Sequence, residues 1–190
     1  MDGTIEIEQV WQTYGNQIRR VANVATEREA LSLVGLYFRY GAYLEKEGYL
    51  KDAKSYCEEN LNILNRERDV ISDVQYNKSK ETITYTLATI CRQLDDYWSG
   101  LNLIKQLREM NPRKDEYRLA YIGCLGNVIA KYTNPIYIVI CILFLLKMGE
   151  VYITHTHVIP GWLFDAGWIL WIVMLTVQFG LPWILKKIMK

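Results

Sequence analysis

The chain reads as all-α: antiparallel helical hairpins over residues 1–131, then two transmembrane helices over 132–190. Three observations lead there. Between residues 5 and 130 there is one proline, Pro112, and apolar residues recur three and four apart, the period of a helix rather than a strand. The first 131 residues hold 37 of the chain's 43 Lys, Arg, Asp and Glu. Beyond them lie two apolar blocks, residues 132–146 and 162–185, in which Asp165 is the single charge.

The elements follow in order. Ile7, Val10, Tyr14, Ile18 and Val21 form one apolar stripe, with Thr4 placed to cap its start. Thr26 and Glu29 stand three apart ahead of Leu31, Val34, Phe38 and Leu44, the spacing of a capping box, so a second helix begins there. It stops near Gly48, where glycine supplies the left-handed conformation that ends a helix. Further helices are predicted over roughly 49–72, 79–94, 97–110 and 114–130, separated by the polar stretch 72–80, by Asp95-Asp96 and by Asn111-Pro112. Six helices joined by short turns pack as antiparallel neighbours.

Tyr37, Tyr40-Gly41, Leu44, Gly48-Tyr49, Ala53 and Cys57 together resemble the tetratricopeptide repeat, a helical-hairpin family with small residues at its eighth and twentieth positions. Gly41 and Ala53 fall at those places, twelve apart. Leu87-Ala88, Cys91, Gly100, Ile104, Leu107 and Pro112 resemble a second copy, with Ala88 and Gly100 again twelve apart and Pro112 at the closing proline. The copies lie 47 residues apart where the family has about 34; the first lacks the closing proline, and neither has the signature tryptophan. The resemblance, over residues 34–112, implies a concave groove for a bound peptide or helix. On it, Phe38, Ala42 and Glu45 from the first copy and Tyr85, Thr89 and Arg92 from the second would face the partner.

In the tail, Asn134 followed by Pro135 has the pattern of an N-cap and first-turn proline. A span over 135–152 would rise about 27 Å, close to the hydrocarbon thickness of a bilayer. The second, 162–185, carries Trp162 and Trp183 near its ends, as an interfacial aromatic belt has them. Lys131 precedes the first span and Lys186, Lys187 and Lys190 follow the second, whereas the connection between them has Glu150, His155 and His157. The positive-inside rule then puts both termini in the cytoplasm, the membrane being a bacterial inner membrane or its equivalent. Lys147, Glu150, Asp165 and Gln178 are the polar groups in or beside the spans, where they are costly unless they pair, face water or meet another subunit.

Several functions are excluded on composition. Residues 1–131 carry 18 basic and 19 acidic groups, which leaves no basic footprint for nucleic acid. Cys57, Cys91, Cys124 and Cys141 are scattered, without the clusters that disulfides or zinc need. The sequence shows no cleavable signal peptide. His155 and His157 stand without further ligands, and phosphate-loop, nucleophile-elbow and zinc-protease signatures are absent, so neither cofactor, metal, small-molecule substrate nor catalysis is expected. The expected function is that of a membrane-anchored adaptor that binds a protein partner at the cytoplasmic face. Its rival is an oligomeric membrane effector, pore-forming or membrane-perturbing, whose soluble domain drives self-association.

Overall fold

The computed structural model describes residues 7–21, 24–149, 161–180, 183, 184 and 187, and every element in them is helical. The chain divides into two compact units, Met1–Tyr117 and Arg118–Lys190. Thr4, Glu150, His155 and His157 lie outside the described residues.

In the first unit α1 (Ile7–Arg19) is followed by α2 (Glu27–Lys46), α3 (Leu50–Arg66), a 3-10 turn (Arg68–Val70), α4 (Asp73–Gln93) and α5 (Tyr97–Met110). Consecutive helices pack against one another: α1 on α2, α2 on α3, α3 on α4 and α4 on α5. Trp11 seats α1. Its ring stacks on Tyr40 at 4.5 Å and meets Tyr37 and Tyr56 edge-on at 5.0 and 5.3 Å, while its Nε1 donates to Tyr56 Oη at 3.1 Å. Arg19, from the other end of α1, donates to the same Tyr56 hydroxyl.

The Thr26–Glu29 capping box forms, each side chain accepting from the other residue's backbone N–H at 3.2–3.3 Å. α2 ends as its glycine requires: Gly48 has φ +84°, and Tyr49 N–H reaches back to Leu44 C=O at 2.9 Å. The second hairpin turns in the same way without a glycine. Asp95 sits at φ +57°, and Asp96 N–H reaches Cys91 C=O at 2.9 Å. Aspartate is among the few residues that tolerate this region.

The two hairpins, α2–α3 and α4–α5, therefore repeat at the 47-residue spacing of their small residues. Gly41 lies against Cys57 Sγ and Ala53 C=O; a Cβ there would stand 3.4 and 3.9 Å from them. Gly100 lies against Ala88 C=O and Cys91 Cβ at 3.4 and 3.7 Å. Each crossing sets a glycine on one helix against an alanine on its partner, with the glycine on the first helix in one copy and on the second in the other. Cys57 and Cys91 are buried beside these crossings, and burial pushes the Cys57 thiol up to about 12, so it packs as an unreactive apolar group.

Polar ties join one hairpin to the next. Glu27, in the first turn of α2, accepts from Ser72 N–H at 2.9 Å and Ser72 Oγ at 2.6 Å, occupying the start of α4. Lys54 on α3 pairs with Asp96 at 2.8 Å, and Asp96 also caps α5 through Ser99 N–H. The expectation that residues 72–80 separate two helices is corrected: they form the first turns of α4. The stretch holds no glycine or proline, and its polarity reflects solvent exposure rather than a break; Val74 is 75% exposed.

The break expected at Asn134-Pro135 is also absent. α6 (Asp115–Gly149) runs 35 residues with Pro135 inside it. A proline there removes one backbone hydrogen bond and crowds the carbonyl four residues earlier. With helix on both sides, the ladder carries that local defect. After it α7 spans Gly161–Leu175 and continues as a π-helical turn, Thr176–Gly180. Only α6 is by itself long and apolar enough among the described residues to cross a membrane, so the expected pair of such helices is reduced to one. α7 has 15 residues, about 22 Å, and stops at Leu175 where the helix widens.

One core side chain runs against the fold's chemistry. Asn60 on α3 is fully buried, yet neither its Oδ1 nor its Nδ2 has a hydrogen-bond partner among the described residues. The residue 47 positions on is Leu107, equally buried. Leucine has the same branching and number of side-chain atoms as asparagine, so Asn60→Leu should raise stability by about 1–3 kcal/mol in urea unfolding, with the m-value unchanged. At the second crossing Gly100→Ala should be neutral or mildly stabilising, because its Cβ meets only ordinary contacts. Gly100→Leu, in the same measurement, should cost about 1–3 kcal/mol by prising α4 from α5.

Candidate membrane segment and partner groove

The six groove residues lie on the two first helices of the hairpins, Phe38, Ala42 and Glu45 on α2 and Tyr85, Thr89 and Arg92 on α4. They do not form one open face. Phe38 is half-buried against the core. Glu45 accepts from Gln93 Nε2 at 3.1 Å, a tie between α2 and α4, and Thr89 Oγ1 is turned onto its own helix at Tyr85 C=O, 3.1 Å away. Arg92 is exposed and Ala42 partly covered.

Tyr85 is overlaid by the start of α6. Its ring lies 5.8 Å from that of Tyr117, which is 2% exposed. Tyr117 Oη donates to Glu81 on α4; Lys114 Nζ donates to Glu81 Oε1 at 3.0 Å and to Tyr117 Oη at 2.8 Å, with its ammonium 4.4 Å from the Tyr117 ring centre. The Tyr117 and Lys114 donors hold the Glu81 carboxyl below the usual carboxylate range, and the same partners raise Lys114. This clasp of Glu81, Lys114 and Tyr117 escaped the sequence reading because its members are 36 residues apart at most and belong to no motif. The available signal was a buried tyrosine two residues into an otherwise charged helical turn.

In the second unit the apolar part of α6 is almost uncovered. Of its most apolar 18-residue window, 6% is buried. Ile136, Ile138, Val139, Ile142, Leu145, Leu146 and Met148 are all exposed, and at 100° per residue they spread around most of the helix. A core helix of a water-soluble fold would show one exposed polar face instead. α7 meets α6 through Phe144 and Trp168, edge to face at 5.9 Å, and Trp168 meets Trp171 in the same way at 5.3 Å. Among the described side chains of α7, Met174 is buried.

Of the four polar candidates of the tail, Lys147, Asp165 and Gln178 are among the described residues, each on a different element. Lys147 lies in the last turn of α6, partly covered. Asp165 is exposed at the fifth position of α7, about 6 Å of helix from its start. Gln178 is partly covered and sits inside the π-helical turn. No group of three or more His, Cys, Asp or Glu among the described residues is placed to hold a metal ion.

No protein-family model matches the chain, and no curated protein or solved structure resembles it significantly.

The clasp has a pH signature. Because the folded-state pKa of Glu81 is depressed, its contribution is present above the unfolded carboxylate value, about 4.3, and is lost as pH falls through the lower folded value. Glu27 and Asp96 are lowered too and drift in the same direction. The comparison is therefore between wild type and Glu81→Gln: the gap in thermal midpoint should be open near pH 6 and close toward about pH 3. A gap that stays constant with pH would show that Glu81 contributes only shape.

Proposed function

We propose that this protein is an adaptor held at a membrane. The helical hairpins bind a protein partner at the cytoplasmic face, and residues 132–190 anchor them in the lipid bilayer. The observation that carries the reading is α6: 34 residues, Asp115–Met148, long and apolar enough to cross a bilayer, with almost none of its apolar window covered by the chain itself. In water those side chains would be a large aggregation-prone surface; in lipid they are solvated.

The finer topology follows from length and charge. α7 and its π-helical continuation cover 161–180, together about 30 Å if the rise stays near that of a helix, and the pair returns the chain to the side of its lysines. Lys131, Lys186, Lys187 and Lys190 then share the cytoplasmic face. Lys187 lies 5.5 Å from the centre of the Trp183 ring, a cation and an amphipathic ring of the kind found at a bilayer border. The tetratricopeptide likeness supports the partner-binding half of the reading through the Gly41–Ala53 and Ala88–Gly100 crossings. The reading assigns no catalysis, cofactor or nucleic acid.

The effector reading draws on one observation, Gln178 within a π-helical turn, since such turns recur at functional sites. Membrane fractionation of the full chain tests the anchor. Wild type should stay in the pellet after alkaline carbonate, whereas Val139→Arg with Ile142→Arg, at about 2.5–3.5 kcal/mol each in lipid, should release or destroy it. Wild-type release would overturn the anchor. Particle mass in detergent separates the two readings, for a ring with a continuous axial opening that leaks dye from vesicles would replace adaptor by effector.

A further inference from the structure

α6 and α7 line an open apolar cavity of about 430 Å³. It is lined by residues 140, 141 and 143–145 of α6 and by Gly167, Trp168 and Trp171 of α7. That volume falls in the range of small-ligand sites. Gly167 is what opens it: a Cβ built there would meet nothing within 4 Å, so glycine serves neither a tight turn nor a close helix crossing at this position. The two tryptophans and Phe144 stand edge to face rather than collapsing over the gap.

We infer that this cavity binds the acyl chain of a phospholipid. The inference rests on the membrane reading above, which makes lipid the medium that the exposed faces of α6 and α7 meet. The lining contributes aliphatic and aromatic carbon and one thiol, with no charged side chain to select a headgroup or a polar substrate. Its extent argues against a second copy of the chain. The cavity runs along residues 140–145 of α6 and 167–171 of α7, about 8 Å and 6 Å of helix, a seam too short to seat a packed helix. A flexible hydrocarbon gains dispersion contacts from both helices in such a slot and replaces bulk lipid that would pack less well against fixed rings.

The test uses the full chain in phosphatidylcholine vesicles containing a small fraction of phosphatidylcholine with a photoactivatable diazirine in its acyl chain. After illumination, adducts are mapped by mass spectrometry. Label at the lining residues Cys141 and Trp171 should exceed several-fold that at Ile138 and Ile172, which face outward at 61% and 56% exposure. Gly167→Leu should erase the excess and leave the outward label as it was. Ile172→Trp, which adds bulk on the outer face, should keep the excess. Equal label at all four places, an excess that survives Gly167→Leu, or chain-to-chain cross-links through Cys141 in place of lipid adducts would each overturn the inference. Absence of label from the whole chain would overturn the membrane reading itself, and this inference with it.

Discussion

The soluble unit depends on how closely two helix backbones can approach. At both crossings a glycine faces an alanine, and the nearest atoms to the missing Cβ are a carbonyl oxygen or a cysteine side chain at about van der Waals distance. That approach fixes the rest of each hairpin. It brings Leu44 and Cys91 into the core, leaves three residues for the turn, and forces one of them, Gly48 or Asp95, into the left-handed region. Larger side chains at the crossings would move the helices apart, expose those core residues and break the turn bonds 2.9 Å long that close each helix. The stack then grows by polar ties: Glu27 reaches the start of α4, and Asp96 both caps α5 and meets Lys54 of the preceding hairpin.

What was legible in the residues was whatever is local. The capping box at Thr26 and Glu29, the glycine stop at Gly48 and the paired small residues each express a rule that acts within one turn or one hairpin. The misplacements came where a local signal has two meanings. Polarity over residues 72–80 means either a loop or an exposed helical face, and absence of glycine and proline decides for the face. Asn134-Pro135 means either a helix start or a proline carried inside a longer helix, and the flanking helix decides for the latter. Non-local partners belong to no motif: Trp11 against three tyrosines, and the Glu81–Lys114–Tyr117 clasp, join residues that sequence periodicity treats as unrelated.

The same distinction accounts for the candidate sites. The tetratricopeptide resemblance implied equivalent groove positions for Phe38 and Tyr85, which lie 47 residues apart on α2 and α4. It carried no information about cover, and Tyr117 covers Tyr85 while the core half-buries Phe38. Of the six positions Arg92 alone is exposed, and Glu45 brings the opposite charge, so a partner of the kind proposed would meet mixed charge there. Mixed charge favours orientation and selectivity over bulk hydrophobic affinity.

Asn60 and the apolar helices pose opposite forms of one question, which is what satisfies a group the chain leaves unsatisfied. A carboxamide buried among hydrocarbon costs stability because water is excluded and no protein donor or acceptor replaces it. Exposed isoleucines and leucines around α6 cost stability because water is not excluded. The second cost exceeds what a chain of this size, with a stability margin of only several kcal/mol, would carry in water, and that is the physical ground for the membrane-anchor proposal. The first is small enough to be tolerated. That difference in scale is why α6 carries the anchor proposal, whereas Asn60 bears only on how firmly the hairpins hold together.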